Sequence, residues 1–202
     1  NTGLSNLTVN ALLIQSNAPL TLYAGTAGGV FRSLNGGTNW TRLNTGLTTS
    51  NVLCLAMDPA TPETIYAGTT NGLFKSLNGG AEWANVTSGG LAAPYVLAVA
   101  IDPAAPTTLY AGTKGTAFFG GSDGYVAKFG TNGYLTVLGG SADDEAWDLA
   151  VDALGHAHVT GWTASKNFPT NYVYGALRGT NSGSADAFVA EVSSTGDQLL
   201  HS

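Results

Sequence analysis

Apolar positions run along this chain in short bursts separated by turn residues, and the bursts recur. Val52-Leu53-Cys54-Leu55-Ala56-Met57 and Tyr95 to Ile101 are nearly unbroken apolar runs, of a length that suits an inner β-strand covered on both faces. After a Pro-containing turn comes a second segment, Thr64-Ile65-Tyr66-Ala67-Gly68-Thr69 in one copy, whose small Ala-Gly pair permits close approach of a neighbouring sheet. A third segment, Gly72-Leu73-Phe74-Lys75-Ser76, and a fourth, from Trp83 to Thr87, flank Asn78-Gly79-Gly80, a strong hairpin signal. The pattern predicts a four-stranded antiparallel meander for each unit.

The units repeat. Tyr-Ala-Gly-Thr stands at Tyr23 to Thr26, Tyr66 to Thr69 and Tyr110 to Thr113, with spacings of 43 and 44 residues, a period that suits propeller blades or solenoid units. Other landmarks keep the register: Asn1-Thr2-Gly3-Leu4 recurs as Asn44-Thr45-Gly46-Leu47, and Asp58-Pro59 as Asp102-Pro103, with Gln15 in the equivalent place of the first copy.

Ser33-Leu34-Asn35-Gly36-Gly37-Thr38-Asn39-Trp40 and Ser76-Leu77-Asn78-Gly79-Gly80-Ala81-Glu82-Trp83 resemble the Asp-box, or BNR repeat, of sialidase- and sortilin-like propellers, with Asn in place of the usual Asp. The resemblance implies a structural task at the blade periphery for Ser33, Asn35, Gly37, Trp40, Ser76, Asn78, Gly80 and Trp83. An Asn side chain can bond its own turn, glycine takes a positive φ, and the Trp packs the hairpin onto the blade.

After Thr113 the pattern changes. Ser122-Asp123-Gly124-Tyr125-Val126-Ala127-Lys128-Phe129 recurs 63 residues on as Ala185-Asp186-Ala187-Phe188-Val189-Ala190-Glu191-Val192. Between the copies stand Leu138-Gly139-Gly140-Ser141-Ala142-Asp143-Asp144, Leu149-Ala150-Val151-Asp152, Gly155-His156-Ala157-His158-Val159-Thr160-Gly161 and Asn167-Phe168-Pro169-Thr170. Together these resemble the SBBP β-propeller repeat; His156 stands where that pattern has Asn and His158 where it has an aromatic. The expected architecture is an all-β propeller of four-stranded antiparallel blades. Four blade units are expected at about 1–43, 44–87, 88–139 and 140–202, with the repeat type switching near 114–121 inside the third. Residues 1–202 then form one propeller-type domain or part of one. The fourth unit carries a long insertion between Trp162 and Ala185.

The ends add a question of closure. The chain begins in a loop that should follow an outer strand, and Asp197-Gln198-Leu199-Leu200-His201 should be such a strand. A closed four-bladed ring, a fragment of a longer array, or a homodimer completing an eight-bladed ring all fit; assembly or a fragment is favoured over a closed monomer.

Composition narrows the function classes. Charged residues are 10% of the chain, the net charge is −6, and four lysines with Arg32, Arg42 and Arg178 are its only fixed cations. These leave little with which to neutralise a phosphate backbone, so nucleic acid is not an expected partner. The lone Cys54 lies in an apolar run and reads as inert core. No stretch is long and apolar enough to span a bilayer, and the start lacks Met and a basic leader, as in a mature product or an excised piece. Low charge with abundant Thr, Asn and Gly suggests an extracellular or cell-surface setting, of bacterial type; the sequons at Asn6, Asn39 and Asn85 matter only in a glycosylating host.

Candidate chemistry is sparse. Asp143, Asp144, Glu145 and Asp148, with Trp147 among them, form the densest acidic cluster; hard carboxylate oxygens there suit Ca2+ or a ligand, though the paired Asp also belongs to the repeat signature and serves turns. His156 and His158, two apart on a strand, share a face and offer two metal ligands without an evident third. A sialidase-like glycosidase needs an arginine cluster and a tyrosine nucleophile, for which three arginines, Arg32 among them beside a hairpin, are poor material. The expectation is a non-catalytic recognition or scaffold module with no cofactor and an unidentified protein or glycan ligand. Its alternatives are a carbohydrate-binding propeller using Trp147 and, behind that, a glycosidase. Ligands are expected at Thr45 to Asn51, Ser88 to Tyr95 or Ser141 to Trp147, loops that the resemblance places at the rim of a central channel.

Overall fold

The computed structural model describes residues 1–87, 95–115, 120–130, 132–169 and 183–201; Thr170 and Arg178 lie outside them, as does the expected loop from Ser88 apart from Tyr95. The described chain is strand, turn and loop, with no helix, and so none long and apolar enough to cross a membrane. Among the described residues sixteen strands form four antiparallel sheets of four. The first holds β1 (Val9–Ile14), β2 (Leu22–Thr26), β3 (Gly29–Ser33) and β4 (Thr41–Arg42), and the second β5 (Val52–Met57), β6 (Ile65–Thr69), β7 (Gly72–Ser76) and β8 (Ala84–Asn85). The third holds β9 (Tyr95–Ile101), β10 (Leu109–Lys114), β11 (Gly124–Phe129) and β12 (Tyr134–Leu138), and the fourth β13 (Asp144–Val151), β14 (Ala157–Thr163), β15 (Asp186–Val192) and β16 (Leu199–His201). In every sheet spatial order follows chain order, which makes each an up-and-down meander. In the third sheet, β9 and β10 lie before the change of sequence pattern that follows Thr113, and β11 and β12 lie after it.

The chain divides into two compact units, Asn1–Val96 and Leu97–Ser202. Unit 1 has a core of Tyr23, Val30, Val52, Leu55, Ile65, Ala67, Phe74 and Trp83. Unit 2 has its own, including Tyr110, Val126, Leu138, Leu149, Val159, Phe168, Phe188 and Val192. The expectation of an innermost strand covered on both faces holds for β5, where no residue is fully exposed, but not for β1, where Leu12 and Ile14 lie open to solvent.

Tyr-Ala-Gly-Thr has a clear packing task. Gly25 and Gly68 sit where the next inner strand approaches: a Cβ on Gly25 would lie 2.8 Å from Val52 Cγ1, and one on Gly68 2.7 Å from Val96 Cγ1, besides 2.3 Å from Sγ of Cys54, its cross-strand partner in the same sheet. The threonine closes the following turn, its buried hydroxyl donating to Gly29 O from Thr26 (3.0 Å) and to Gly72 O from Thr69 (2.8 Å).

The two Asn-Gly-Gly hairpins share one hydrogen-bond scheme. The Ser33 hydroxyl donates to Asn35 Oδ1 (3.0 Å) and accepts the Gly37 amide (2.9 Å), while Asn35 Oδ1 accepts the Asn39 amide (2.9 Å). Ser76, Asn78, Gly80 and Glu82 repeat it. Only an acceptor oxygen is required of the Asn, which is why an amide serves where a carboxylate would. Gly37 and Gly80 have φ of 90° and 86°, a region L side chains rarely adopt. The fourth strands are shorter than the Trp83–Thr87 reading. In the second blade the Leu73 amide bonds the Thr87 hydroxyl (2.9 Å) while Asn85 Oδ1 caps the Thr87 amide, so side chains take over where a backbone ladder would continue.

Candidate functional site

The expected acidic cluster lies at the start of β13, and the fold pulls its members apart. Asp143 accepts the Ser122 amide (2.7 Å) and its own carbonyl accepts the Ala164 amide, stapling two neighbouring segments. Asp144 is fully buried; its Oδ2 accepts the Gly140 amide (2.8 Å) and the Ser165 hydroxyl (2.7 Å). Both carboxylates thus organise loops. Asp148, exposed, accepts its own neighbour's amide at Leu149.

Glu145 and Trp147 remain together at the surface. The pairing of β13 with β14 shifts register between Ala146 and Asp148, which leaves Trp147 as the extra residue of a bulge. Bulges re-aim side chains, and Trp147 is 57% exposed. Its indole N–H donates to Glu145 Oε2 (2.6 Å), while Lys114 pairs with the other carboxylate oxygen. Burial works to raise the Glu145 carboxyl, but hydrogen bonds from Lys114, Trp147 and Trp162, with the Lys114 charge, outweigh it and hold the group below the usual carboxylate range. The result is an indole face fixed beside an ion pair, able to stack on a flat apolar ring face and to exchange hydrogen bonds at its rim. Equivalent bulges in β1 and β5 place Asn10 and Leu53 at this position.

The two histidines meet partners that sequence reading did not supply. His156 Nδ1 lies 3.1 Å from Glu191 Oε1 and 3.5 Å from Asp152 Oδ2, and His158 Nε2 lies 3.4 Å from the same Asp152 oxygen. Backbone bonds from His156 and Leu154 to Asp152 Oδ1 (2.9 and 2.8 Å) fix that carboxylate. The His156 amide bond is the main reason the Asp152 carboxyl titrates low, followed, once opposing desolvation is overcome, by the Leu154 amide and the two histidines. Glu191 reaches the cluster because β15 pairs residue for residue with β14, setting Glu191 opposite His158. Its sequence signal was slight: Glu191 occupies the place of Lys128 in the preceding copy.

Arg32 and Arg42 do not form a clamp. Arg32 pairs across to Thr41 while Arg42 pairs to Phe31, so they point to opposite faces of the sheet, and Arg32 Nη1 donates to Gly79 O in the next hairpin (3.4 Å).

No protein-family model and no curated protein matches the sequence. Solved structures do. A GH74 enzyme of Niastella koreensis is similar over 95% of this chain and 29% of its own, with a TM-score of 0.62 and 23% identity. The GH74 xyloglucanase of Xanthomonas campestris is similar over 94% of this chain and 29% of its own, at 0.60 and 15%. An auxiliary nutrient binding protein of Bacteroides thetaiotaomicron is similar over 96% and 40%, at 0.54 and 12%. This chain therefore spans less than a third of either GH74 protein. At these identities the likeness is one of fold, and with the four sheets it makes this an all-β chain of the β-propeller type carrying four four-stranded blades.

Proposed function

We propose that this chain is a non-catalytic, extracellular propeller module that works by assembly, with a second copy of itself as partner. The observation that carries the reading is an uncovered blade face. Val9, Leu12 and Ile14 of β1 pair with Thr26, Ala24 and Leu22 as Val52, Leu55 and Met57 of β5 pair with Thr69, Ala67 and Ile65. Val52 and Leu55 are 0% and 9% exposed, and with Met57 they join the core that includes Ala11, Leu13, Tyr23 and Val30 of the first blade. Their counterparts Val9, Leu12 and Ile14 are 46%, 58% and 61% exposed. This is the face with which a blade seats on its predecessor, and it calls for a surface of small and aliphatic side chains. In unit 2, Ala150, Thr160, Ala187 and Val189 are exposed on one face of the fourth sheet, bordered there by the polar Asp148, His158 and Glu191. Two copies joined head to tail would use both surfaces twice and complete eight blades.

Light scattering on the purified chain is expected to give twice the 20.5 kDa chain mass, and the double substitution Leu12→Glu, Ile14→Glu is expected to return it to 20.5 kDa with an unchanged circular dichroism spectrum. A wild-type chain of 20.5 kDa at every concentration overturns the reading.

Trp147 supports a second reading, carbohydrate binding: an exposed indole held by Glu145 resembles the stacking platforms that sugars use. Titration with xyloglucan oligosaccharides should show binding without cleavage, lost in Trp147→Ala. Absence of binding would sink this reading alone, whereas cleavage would remove the non-catalytic assignment. The separated arginines and the carboxylates committed to loop amides favour binding over a sialidase-like glycosidase. The shared hairpin chemistry supports kinship with Asp-box repeats.

A further inference from the structure

The cluster at the end of β13 differs from its counterpart one blade earlier in a way that changes its chemistry. In the third blade, Tyr110 of β10 pairs with Lys128 of β11, and the Lys128 ammonium sits 5.5 Å from the Tyr110 ring centroid. In the fourth blade the same strand pairing sets His158 opposite Glu191. A cation over an aromatic ring has been replaced by an imidazole and a carboxylate. A second imidazole, His156, arrives from the turn that leads into β14. The inner-strand aspartate is common to both blades: Asp102 caps the amides of Ala104 and Ala105, as Asp152 caps those of Leu154 and His156. In Asp152 this uses Oδ1 and leaves Oδ2 turned toward the imidazoles.

We propose that Asp152, His156 and Glu191 form a binding site for a divalent first-row transition cation of the Zn2+ class, with His158 steadying Asp152 from the outer shell and solvent completing the coordination. One ligand atom from each of Asp152, His156 and Glu191 lies within 4.8 Å of the others. The edges from His156 Nδ1, 3.1 Å to Glu191 Oε1 and 3.5 Å to Asp152 Oδ2, lie close to those of a metal shell. Zn–N and Zn–O bonds of about 2.0–2.2 Å put neighbouring donors roughly 3.3–3.6 Å apart. Two carboxylates and an imidazole match the borderline character of Zn2+ better than an all-oxygen set would, and a dication offsets two carboxylates held this close. The Asp152 carboxylate is oriented by two backbone amides, the outer-shell support that metal ligands use. Side-chain exposures of 21% to 45% leave the site open to entry from solvent.

The test uses the full chain, stripped with chelator, and Zn2+ and Co2+ as probes. Calorimetry is expected to give one equivalent of Zn2+. Co2+ should produce the intense visible band of a four-coordinate N/O site. Removing even an outer-shell partner costs about 10–100-fold in metal affinity, so His158→Ala and Glu191→Gln should each weaken Zn2+ binding by at least about tenfold. Asp197→Asn, an exposed carboxylate bonded to Ser193 and Thr195, should leave it unchanged. No uptake of either ion overturns the proposal, and so does uptake that both substitutions leave intact. If Glu191→Gln loses its circular dichroism spectrum, the more exposed His158→Ala decides.

Discussion

Trp83→Ala is expected to lower the free energy of unfolding of unit 1 by about 3–5 kcal/mol, the range for truncating a buried aromatic. Trp83 is 5% exposed and belongs to the core that holds Ile65, Phe74 and Tyr23. Its indole N–H donates to Leu43 O (2.9 Å), and its backbone amide donates to Thr45 O (2.9 Å). The ring thus ties the hairpin of the second blade to the segment entering it, and its loss leaves both a cavity and an unpaired carbonyl. Trp40 is the internal control. Its indole bonds Gly37 O inside its own hairpin and it is only half-buried, so Trp40→Ala should cost clearly less. Trp83→Phe keeps most of the packing and should lose about 0.5–1.5 kcal/mol, the net worth of a hydrogen bond. Urea melts of the three variants check the order; equal losses at Trp40 and Trp83 would show that the hairpin alone, and not the connection to Leu43, sets the effect.

Much of this architecture was legible because the repeat carries its own register. Tyr-Ala-Gly-Thr fixed the second strand of three blades, and Asn78-Gly79-Gly80 fixed a hairpin, since only certain residues take those turns. Other features were hidden for physical reasons. The two-residue strands β4 and β8 stop short because side-chain bonds take the place of backbone ones: Asn44 Oδ1 accepts the Val30 amide in the first blade, and the Thr87 hydroxyl accepts the Leu73 amide in the second. Exposure of Leu12 and Ile14 depends on what packs against a sheet, which a strand's own pattern does not encode. Among the candidate residues, Asp143 and Asp144 stand in a signature whose work is to hold loops. The histidines gain partners only through pairing: Asp152 is four residues from His156, but Glu191 is 35 away and is brought in by the register of β14 with β15.

Gly68→Ala is the second large effect, and it tests why the Ala-Gly pair recurs. A Cβ at Gly68 would meet Cys54 Sγ at 2.3 Å, Val96 Cγ1 at 2.7 Å and the Val96 carbonyl oxygen at 2.8 Å. Overpacking of this kind typically costs about 1–3 kcal/mol, with the upper end expected here because one obstacle is backbone. At Gly112 the contacts are looser, 3.2 Å to Ala146 O and 3.3 Å to Leu149 Cδ2. There the stiffening of the unfolded chain by alanine, worth about 0.4–1 kcal/mol, should offset most of the crowding. Gly25, 2.8 Å from Val52 Cγ1 but 3.3 Å from its next neighbour, should fall between them. Cys54→Ala removes the nearest atom, so combining it with Gly68→Ala should recover part of the loss, with a coupling of about 0.5–3 kcal/mol in a double-mutant cycle. The carbonyl of Val96 stays in place, which keeps the recovery partial. Strict additivity, or a Gly112→Ala variant as damaged as Gly68→Ala, would mean that strand conformation and not the approach of the next strand demands glycine at this position.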